Sequence, residues 1–365
     1  MNSAKLKSQS PNIHLTGCAK NEAAYLPEWI FHHLNIGFSS IKVYVNNTDD
    51  NSIEVLNKII KHHPEVSYCV ADELIGQPPE EYEKKINSNF YNTNKVQSII
   101  YTDALCTTEK QTTDYIAFLD VDEFFLPQKP LNEIFSLDIS NELPKRFNWL
   151  LLSGDKDEFT SLAKCSKGYI DSSFKSIVPN RNVEIRAEDP HRFSINGDIG
   201  AVCNDAVVLH RVLRSQKEYL CLLSKSTSND KNRLANGFKR NRRGWTTRGK
   251  VINKYMAQLN ANSYEQNFSK FIELCDISAD LKMARDGILH KHTLIVDNLY
   301  SMKQQNIDLT RSLVGSGVEH IDVSKTVMFS LFWKIVGMLS PKLVLSHETI
   351  KDALFSRIRG NKKHS

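Results

Sequence analysis

The chain has 365 residues, 41% of them hydrophobic and 24% charged, which is the make-up of a globular protein and excludes collagen-like and disordered chains. Its 47 lysines and arginines stand against 42 acidic residues, and a net charge of +5 is too mild to imply a nucleic-acid partner. The seven cysteines (18, 69, 106, 165, 203, 221 and 275) are odd in number and include no C-x-x-C pair, so free thiols in a reducing compartment are expected.

Residues 1–12 are polar and lack the apolar core of a signal peptide, which makes the cytoplasm the expected compartment. Residues 13–18 read as a short strand. Leu26, Trp29, Ile30, His33 and Leu34 recur at helical spacing, and Gly37 is a helix stop. Ile41, Val43 and Val45 alternate, giving a second strand over 41–46. Ile53, Leu56, Ile59 and Ile60 mark a second helix ended by Pro64, and 66–70 form a third strand. Val96, Ile99, Ile100 and Leu105 mark another helix. Residues 115–119 are an almost unbroken apolar run, as in a strand buried on both faces. This alternation predicts an α/β fold with a Rossmann-type, mostly parallel sheet flanked by helices. Ligands then bind at the carboxyl ends of the strands, just after Cys18, Val45 and Leu119.

Past residue 145 the pattern is mixed. Residues 147–152 and 206–210 look like strands. Ser215-Gln216-Lys217-Glu218 is a capping box opening a helix that carries Tyr219, Leu222 and Leu223. From 253 onward the pattern is mainly helical, and no clean linker appears. The expected division is a main domain over 1–252 and a helical C-terminal extension over 253–365. The apolar stretch 327–345 is broken by Lys334, Pro341 and Lys342, so it makes a poor membrane span. It reads either as a helix packed on the protein's own core or as a helix lying on a membrane. In the second case Phe329, Phe332 and Trp333 dip in and the basic tail 357–363 touches anionic lipid.

The most informative segment is Leu119-Asp120-Val121-Asp122-Glu123. On an extended strand end, carboxylates at i and i+2 point to the same side and can jointly hold a hard divalent cation. Such a cation, Mn2+ or Mg2+, neutralises a leaving diphosphate. The plainer alternative is an acidic turn. After the first strand, Ala19-Lys20-Asn21-Glu22 opens a helix whose N-terminus favours anions, or simply caps it. Asn46-Asn47-Thr48-Asp49-Asp50 is a similar polar loop after the second.

Three stretches, CAKNEAAYLPEWIFHHLNIGFSSIKVYVNNTDDNS, KVQSIIYTDAL and DYIAFLDVDEFFLP, resemble family 92-like and family 2-like glycosyltransferases of GT-A fold. The likeness is good over residues 12–127, with weaker echoes at 147–155, 174–180 and 208–220. It implies metal-dependent transfer of a sugar, with inversion, from a nucleotide-sugar donor such as a UDP-sugar to a glycan or lipid-linked acceptor. On this resemblance Asp120, Asp122 and His210 hold the metal. Ala19, Lys20, Asn21, Glu22, Asn46, Asp49 and Lys175 line the nucleotide-sugar site. Inverting transfer also needs a carboxylate base, for which Asp155, Asp157 and Glu158 are candidates. His191 is a further candidate histidine, with a structural role as its alternative. The chain departs from the family where Trp149 is followed by Leu-Leu-Leu-Ser-Gly-Asp and where His210 is followed by Arg211.

Residues 231–250 hold eight basic residues (Lys231, Arg233, Lys239, Arg240, Arg242, Arg243, Arg248 and Lys250) and no acids. They read as a loop over the diphosphate, a patch for a phosphate-linked acceptor or membrane, or a solvated face. The competing class of function is a non-catalytic nucleotide-sugar or glycan-binding module on the same fold.

Overall fold

The computed structural model describes residues 10–224 and 245–298. The apolar stretch 327–345, the basic tail and most of the basic segment lie outside the described residues.

The first third alternates as the periodicity predicts: β1 (Ile13–Ala19), α1 (Leu26–Asn35), β2 (Ser40–Val45), α2 (Ser52–His62) and β3 (Val66–Val70). Gly37 follows α1 with a φ of 101°, the left-handed conformation that lets the chain leave the helix. Then come α3 (Asp72–Gly76), α4 (Ser88–Thr93), α5 (Lys95–Thr107), β4 (Tyr115–Phe118), β5 (Glu123–Pro127), α6 (Leu131–Ile134) and β6 (Lys145–Leu152). The long β7 (Lys167–Pro179) precedes a hairpin of β8 (Ile185–Asp189) and β9 (Arg192–Ile195). The remainder is β10 (Ala206–His210), α7 (Gln216–Ser224), β11 (Lys250–Val251), α8 (Asn253–Met256), α9 (Ala261–Leu274) and α10 (Ser278–Asn298). The capping box is formed: Glu218 N donates to Ser215 Oγ at 3.3 Å and Ser215 N to Glu218 Oε2 at 3.2 Å.

The main sheet runs β3-β2-β1-β4-β7-β6-β10-β5, with β11 added to β7. Its first four strands are parallel, as expected. Beyond β4 the sheet is mixed, because β7 is antiparallel to both β4 and β6, and β5 is antiparallel to β10. The architecture is α/β, a mixed sheet flanked by helices. Since β6 and β10 are parallel to each other, the two antiparallel steps at β7 restore their direction to that of β4. The carboxyl ends of β1, β2, β4, β6 and β10 therefore meet at one edge. That edge receives residues 19–22, 46–49, 120–122, 153–155 and 210–211.

Both faces of the sheet are buried. Ile41, Val43, Tyr115 and Ala117 face one core with Trp29, Leu56 and Tyr264, while Tyr44, Ile116 and Phe118 face the other with Ile99 and Phe193. The first core continues across residue 252 through Ile252, Met256, Leu259, Phe271 and Ile277. Phe31 on α1 packs against Tyr264, Phe268 and Phe271 of α9 at centroid distances of 5.1–5.8 Å. All seven cysteines are free thiols, Cys165, Cys221 and Cys275 among them buried. No helix among the described residues is long and apolar enough to cross a membrane.

Buried histidines give this core an acid-sensitive weakness. Burial holds His14 and His32 down to about 4 and His33 well below its usual value. His33 Nε2 accepts a hydrogen bond from Phe125 N at 3.2 Å, which requires a bare nitrogen there. Because these values are depressed, the stability is present above pH 6.5 and is lost as pH falls toward 4. For His14 and His32, lowered from 6.5 to about 4, this is about 3 kcal/mol each. The urea midpoint should drop steeply between pH 6.5 and 4; a midpoint constant over that range contradicts the assignment.

Candidate active site

Asp120 and Asp122 lie in a tight turn between β4 and β5, not on an extended strand. Glu123 N donates to Asp120 O at 2.8 Å, and Asp120 N donates to Glu123 Oε2 at 2.9 Å. The sequence argument that i and i+2 carboxylates point to one side assumed an extended backbone, and the turn replaces it. The two side chains have different partners.

Asp120 is fixed from below. Gln97 Nε2 on α5 donates to its Oδ1 at 2.8 Å, and Lys175 Nζ is 3.1 Å from its Oδ2. The register explains Lys175. Tyr115 pairs with Pro179 and Ala117 with Ile177, so the antiparallel step brings Lys175 opposite Leu119, beside the turn. Lys175 is 1% exposed and also sits 3.0 Å from Glu123, which is fully buried. Burial alone would lower its pKa, but Asp120 and Glu123 hold it well above the usual lysine value. Burial alone would raise Asp120, and the Lys175 charge outweighs it and keeps the carboxyl below its ordinary value. The ammonium is thus a permanent charge under the turn.

Helix α1 holds the turn from the side. Trp29 Nε1 donates to Glu123 O at 2.9 Å, and His32 Nε2 donates to Phe125 O at 2.8 Å. His33 closes the set, donating from Nδ1 to Trp29 O at 2.8 Å and accepting from Phe125 N. Trp29, His32 and His33 of the sequence motif therefore brace β5. Trp29→Phe leaves the Glu123 carbonyl buried without its donor, which costs about 1–3 kcal/mol. Urea unfolding checks this, and unchanged stability contradicts it.

Asp122 faces the end of β10. His210 pairs across the sheet with Glu123, and Arg211 N donates to Asp122 O at 2.7 Å. His210 Nε2 is then 3.6 Å from Asp122 Oδ2, longer than a hydrogen bond. Two ligands each about 2.1 Å from one cation, at roughly 90–120° to one another, stand about 3–3.6 Å apart. The Asp122–His210 pair fits a shared divalent cation on that measure. Among the described residues no three metal-ligating side chains converge.

The loops after β1 and β2 are laced together. Asn46 N donates to Ala19 O at 3.0 Å, Asn21 N to Thr48 Oγ1 at 3.1 Å, and Asp49 N to Asn21 Oδ1 at 2.7 Å. Asn21 and Asn47 have φ of 55° and 48°, which asparagine tolerates better than most residues. Glu22 lies 3.7 Å from Arg214, whose guanidinium stacks 3.4 Å over the Tyr25 ring. Lys20 precedes Asn21 in the same loop.

The three carboxylates considered as base are dispersed. Asp155, 10% exposed, pairs with Arg211 at 3.0 Å, and Arg211 also reaches Glu28 at 3.3 Å and the Thr160 carbonyl. Glu158 pairs with Lys217 at 2.8 Å, and Asp157 is exposed. Asp155 alone of the three lies at the strand-end edge. The end of the basic segment folds over this loop: Gly154 N donates to Thr246 O at 2.7 Å, and a Cβ on Gly154 would stand 2.4 Å from Trp245 Nε1. Gly154→Ala should displace Trp245, read as a change in tryptophan emission maximum; an unchanged spectrum contradicts the contact.

Sequence reasoning gave no site role to Gln97, Tyr101, Trp149, Arg211 or Glu28. Gln97 and Tyr101 sit four apart on α5, one turn on one face, and Tyr101 Oη is 3.4 Å from Asp120. His191 lies at the β8–β9 tip, where burial holds it down to about 4 and hence neutral at pH 7.

Residues 17–183 match the family model described as Glycosyltransferase family 92. A solved structure of the galactosyltransferase LgtC in complex with donor and acceptor sugar analogues is similar in part. It is 13% identical, with a TM-score of 0.24, over 45% of this chain and 57% of that one. The chain therefore spans a little over half the length of that protein. No curated protein matches the chain.

Proposed function

We propose, on the match of residues 17–183 to the family 92 glycosyltransferase model, metal-dependent transfer of a sugar, with inversion, from a nucleoside diphosphate donor, a UDP-sugar. The acceptor is a hydroxyl of a glycan or a lipid-linked saccharide. The observation that carries this reading is Asp122 and His210 facing each other across 3.6 Å at the edge where the strand-end loops gather.

In this reading Asp122 and His210 hold Mn2+ or Mg2+, which supplies charge neutralisation of the departing diphosphate. Asp120, fixed by Gln97 and Lys175, orients the donor beside it. Lys20, Asn21 and Glu22, with Asn46 and Asp49, bind the nucleotide. Lys175 offsets the acidic charge of the turn, so the site stays assembled before the donor arrives. Asp155 takes the acceptor proton, since it alone of the three candidate carboxylates lies at this edge. The free thiols fit a reducing compartment, and the sequence of the C-terminal region favours a peripheral membrane contact.

The test is UDP release from a panel of UDP-sugars with an oligosaccharide acceptor, with and without Mn2+. The reading expects release that stops when the metal is chelated. Metal-dependent binding without release would favour a binding module instead.

A further inference from the structure

The hairpin of β8 and β9 forms its own two-stranded sheet, and its tip lies on the site. Lys175 Nζ donates to Pro190 O at 3.4 Å, and Ser176 Oγ donates to His191 O at 2.9 Å. So anchored, the His191 ring stands edge-on to Trp149, with centroids 5.1 Å apart and planes at 87°. Trp149 in turn lies 4.3 Å from His210. Rings from the hairpin, β6 and β10 thus make one aromatic wall beside the Asp120–Asp122 turn.

Phosphate and metal chemistry do not require this wall. Trp149 Nε1 and His191 Nδ1 are both shielded from solvent, and neither has a hydrogen-bond partner among the described residues. An unmade bond at a buried polar group costs about 1–3 kcal/mol, and two such groups on neighbouring rings call for an explanation. A ligand that bonds them when it docks is one.

The sheet order says which part of a ligand reaches them. The nucleotide loops follow β1 and β2, the Asp120–Asp122 turn follows β4, and Trp149 and His210 lie on β6 and β10, on the far side of β4. A donor with its nucleoside over β1 and β2 and its diphosphate at the turn extends its sugar toward β6 and β10. An aromatic wall with a few fixed polar atoms suits a pyranose, whose C–H face packs on rings while its hydroxyls take hydrogen bonds.

We infer that Trp149 and His191 hold the transferred sugar of the donor, with Trp149 Nε1 and His191 Nδ1 bonding to its hydroxyls. The inference rests on the donor reading above, and its test separates the two. Trp149→Phe keeps an aromatic ring between the histidines but lacks the N–H and part of the indole; His191→Ala removes the second contact. Calorimetric titrations with Mn2+ would use UDP, UDP-glucose, UDP-galactose and UDP-N-acetylglucosamine, with unliganded melting temperatures confirming that each variant folds. Each variant should weaken the best-bound UDP-sugar about tenfold, one hydrogen bond's worth, while UDP affinity moves less than twofold. Equal losses for UDP and UDP-sugar, or no loss for either, overturn the inference while leaving the donor reading intact. Wild-type protein that binds none of the four overturns both.

Discussion

Asp122→Asn should reduce sugar transfer about 10²–10³-fold, the scale of losing one preorganised electrostatic group, with little change in stability. Asp122 sits in a turn at the sheet edge, its side chain 17% exposed, facing His210 across a gap rather than in a short ion pair. Lys175 keeps Asp120 and Glu123, and buried Arg214, on which Asp122 also acts, keeps Glu22. His210→Ala should act in the same direction. UDP release and a urea melt on the same preparation check this. Turnover within twofold of wild type would remove Asp122 from the machinery.

The largest loss of stability is expected at Arg211. Its guanidinium is buried and joins Glu28 on α1 to Asp155 after β6, and its backbone N–H holds Asp122 O. Glu28 in turn accepts from Leu162 N at 2.7 Å, so the same network pins the β6–β7 connection onto α1. Arg211→Met leaves two carboxylates in a low-dielectric site without their partner, a loss of about 3–5 kcal/mol. Burial already pushes Glu28 above the usual glutamate value despite Arg211. The double variant Arg211→Met with Glu28→Gln should recover part of the loss, because it removes one stranded charge. Urea unfolding of the cycle measures this, and a loss under 1 kcal/mol for the single variant contradicts the network.

The parallel half of the sheet was legible because its strands and helices alternate with clean periods. Ile41, Val43 and Val45 point one way, and Leu26 to Leu34 follow a helical stripe. In the mixed half β6 and β10 were legible too, but β5 and β7 were not. β5 begins within the acidic turn and its Phe-Phe-Leu run carries no alternation, while most of β7 is polar or glycine-bearing until its buried end at Lys175–Pro179. A strand of that kind is defined by its neighbours rather than by its own sequence. For the candidate site, residue types at strand ends pointed to one shared edge, since chain direction alone gathers those ends. The partition within it was hidden, because that Asp120 answers to Lys175 and Asp122 to His210 depends on the register of β7 and β10. Arg211 could be read as a departure from the family pattern, but its pairing with Glu28 joins residues 183 positions apart.

The central claim is that Asp122 and His210 together grip a divalent cation against the donor diphosphate. Calorimetric titration of UDP into the protein, with Mn2+ and then with chelator, tests it most directly. Wild type should bind UDP at least about tenfold more tightly with Mn2+, a coupling of about 1.4 kcal/mol, and Asp122→Asn and His210→Ala should each erase that difference while leaving the metal-free affinity in place. Equal UDP affinity with and without metal in the wild type, or a metal effect that survives both substitutions, would contradict it.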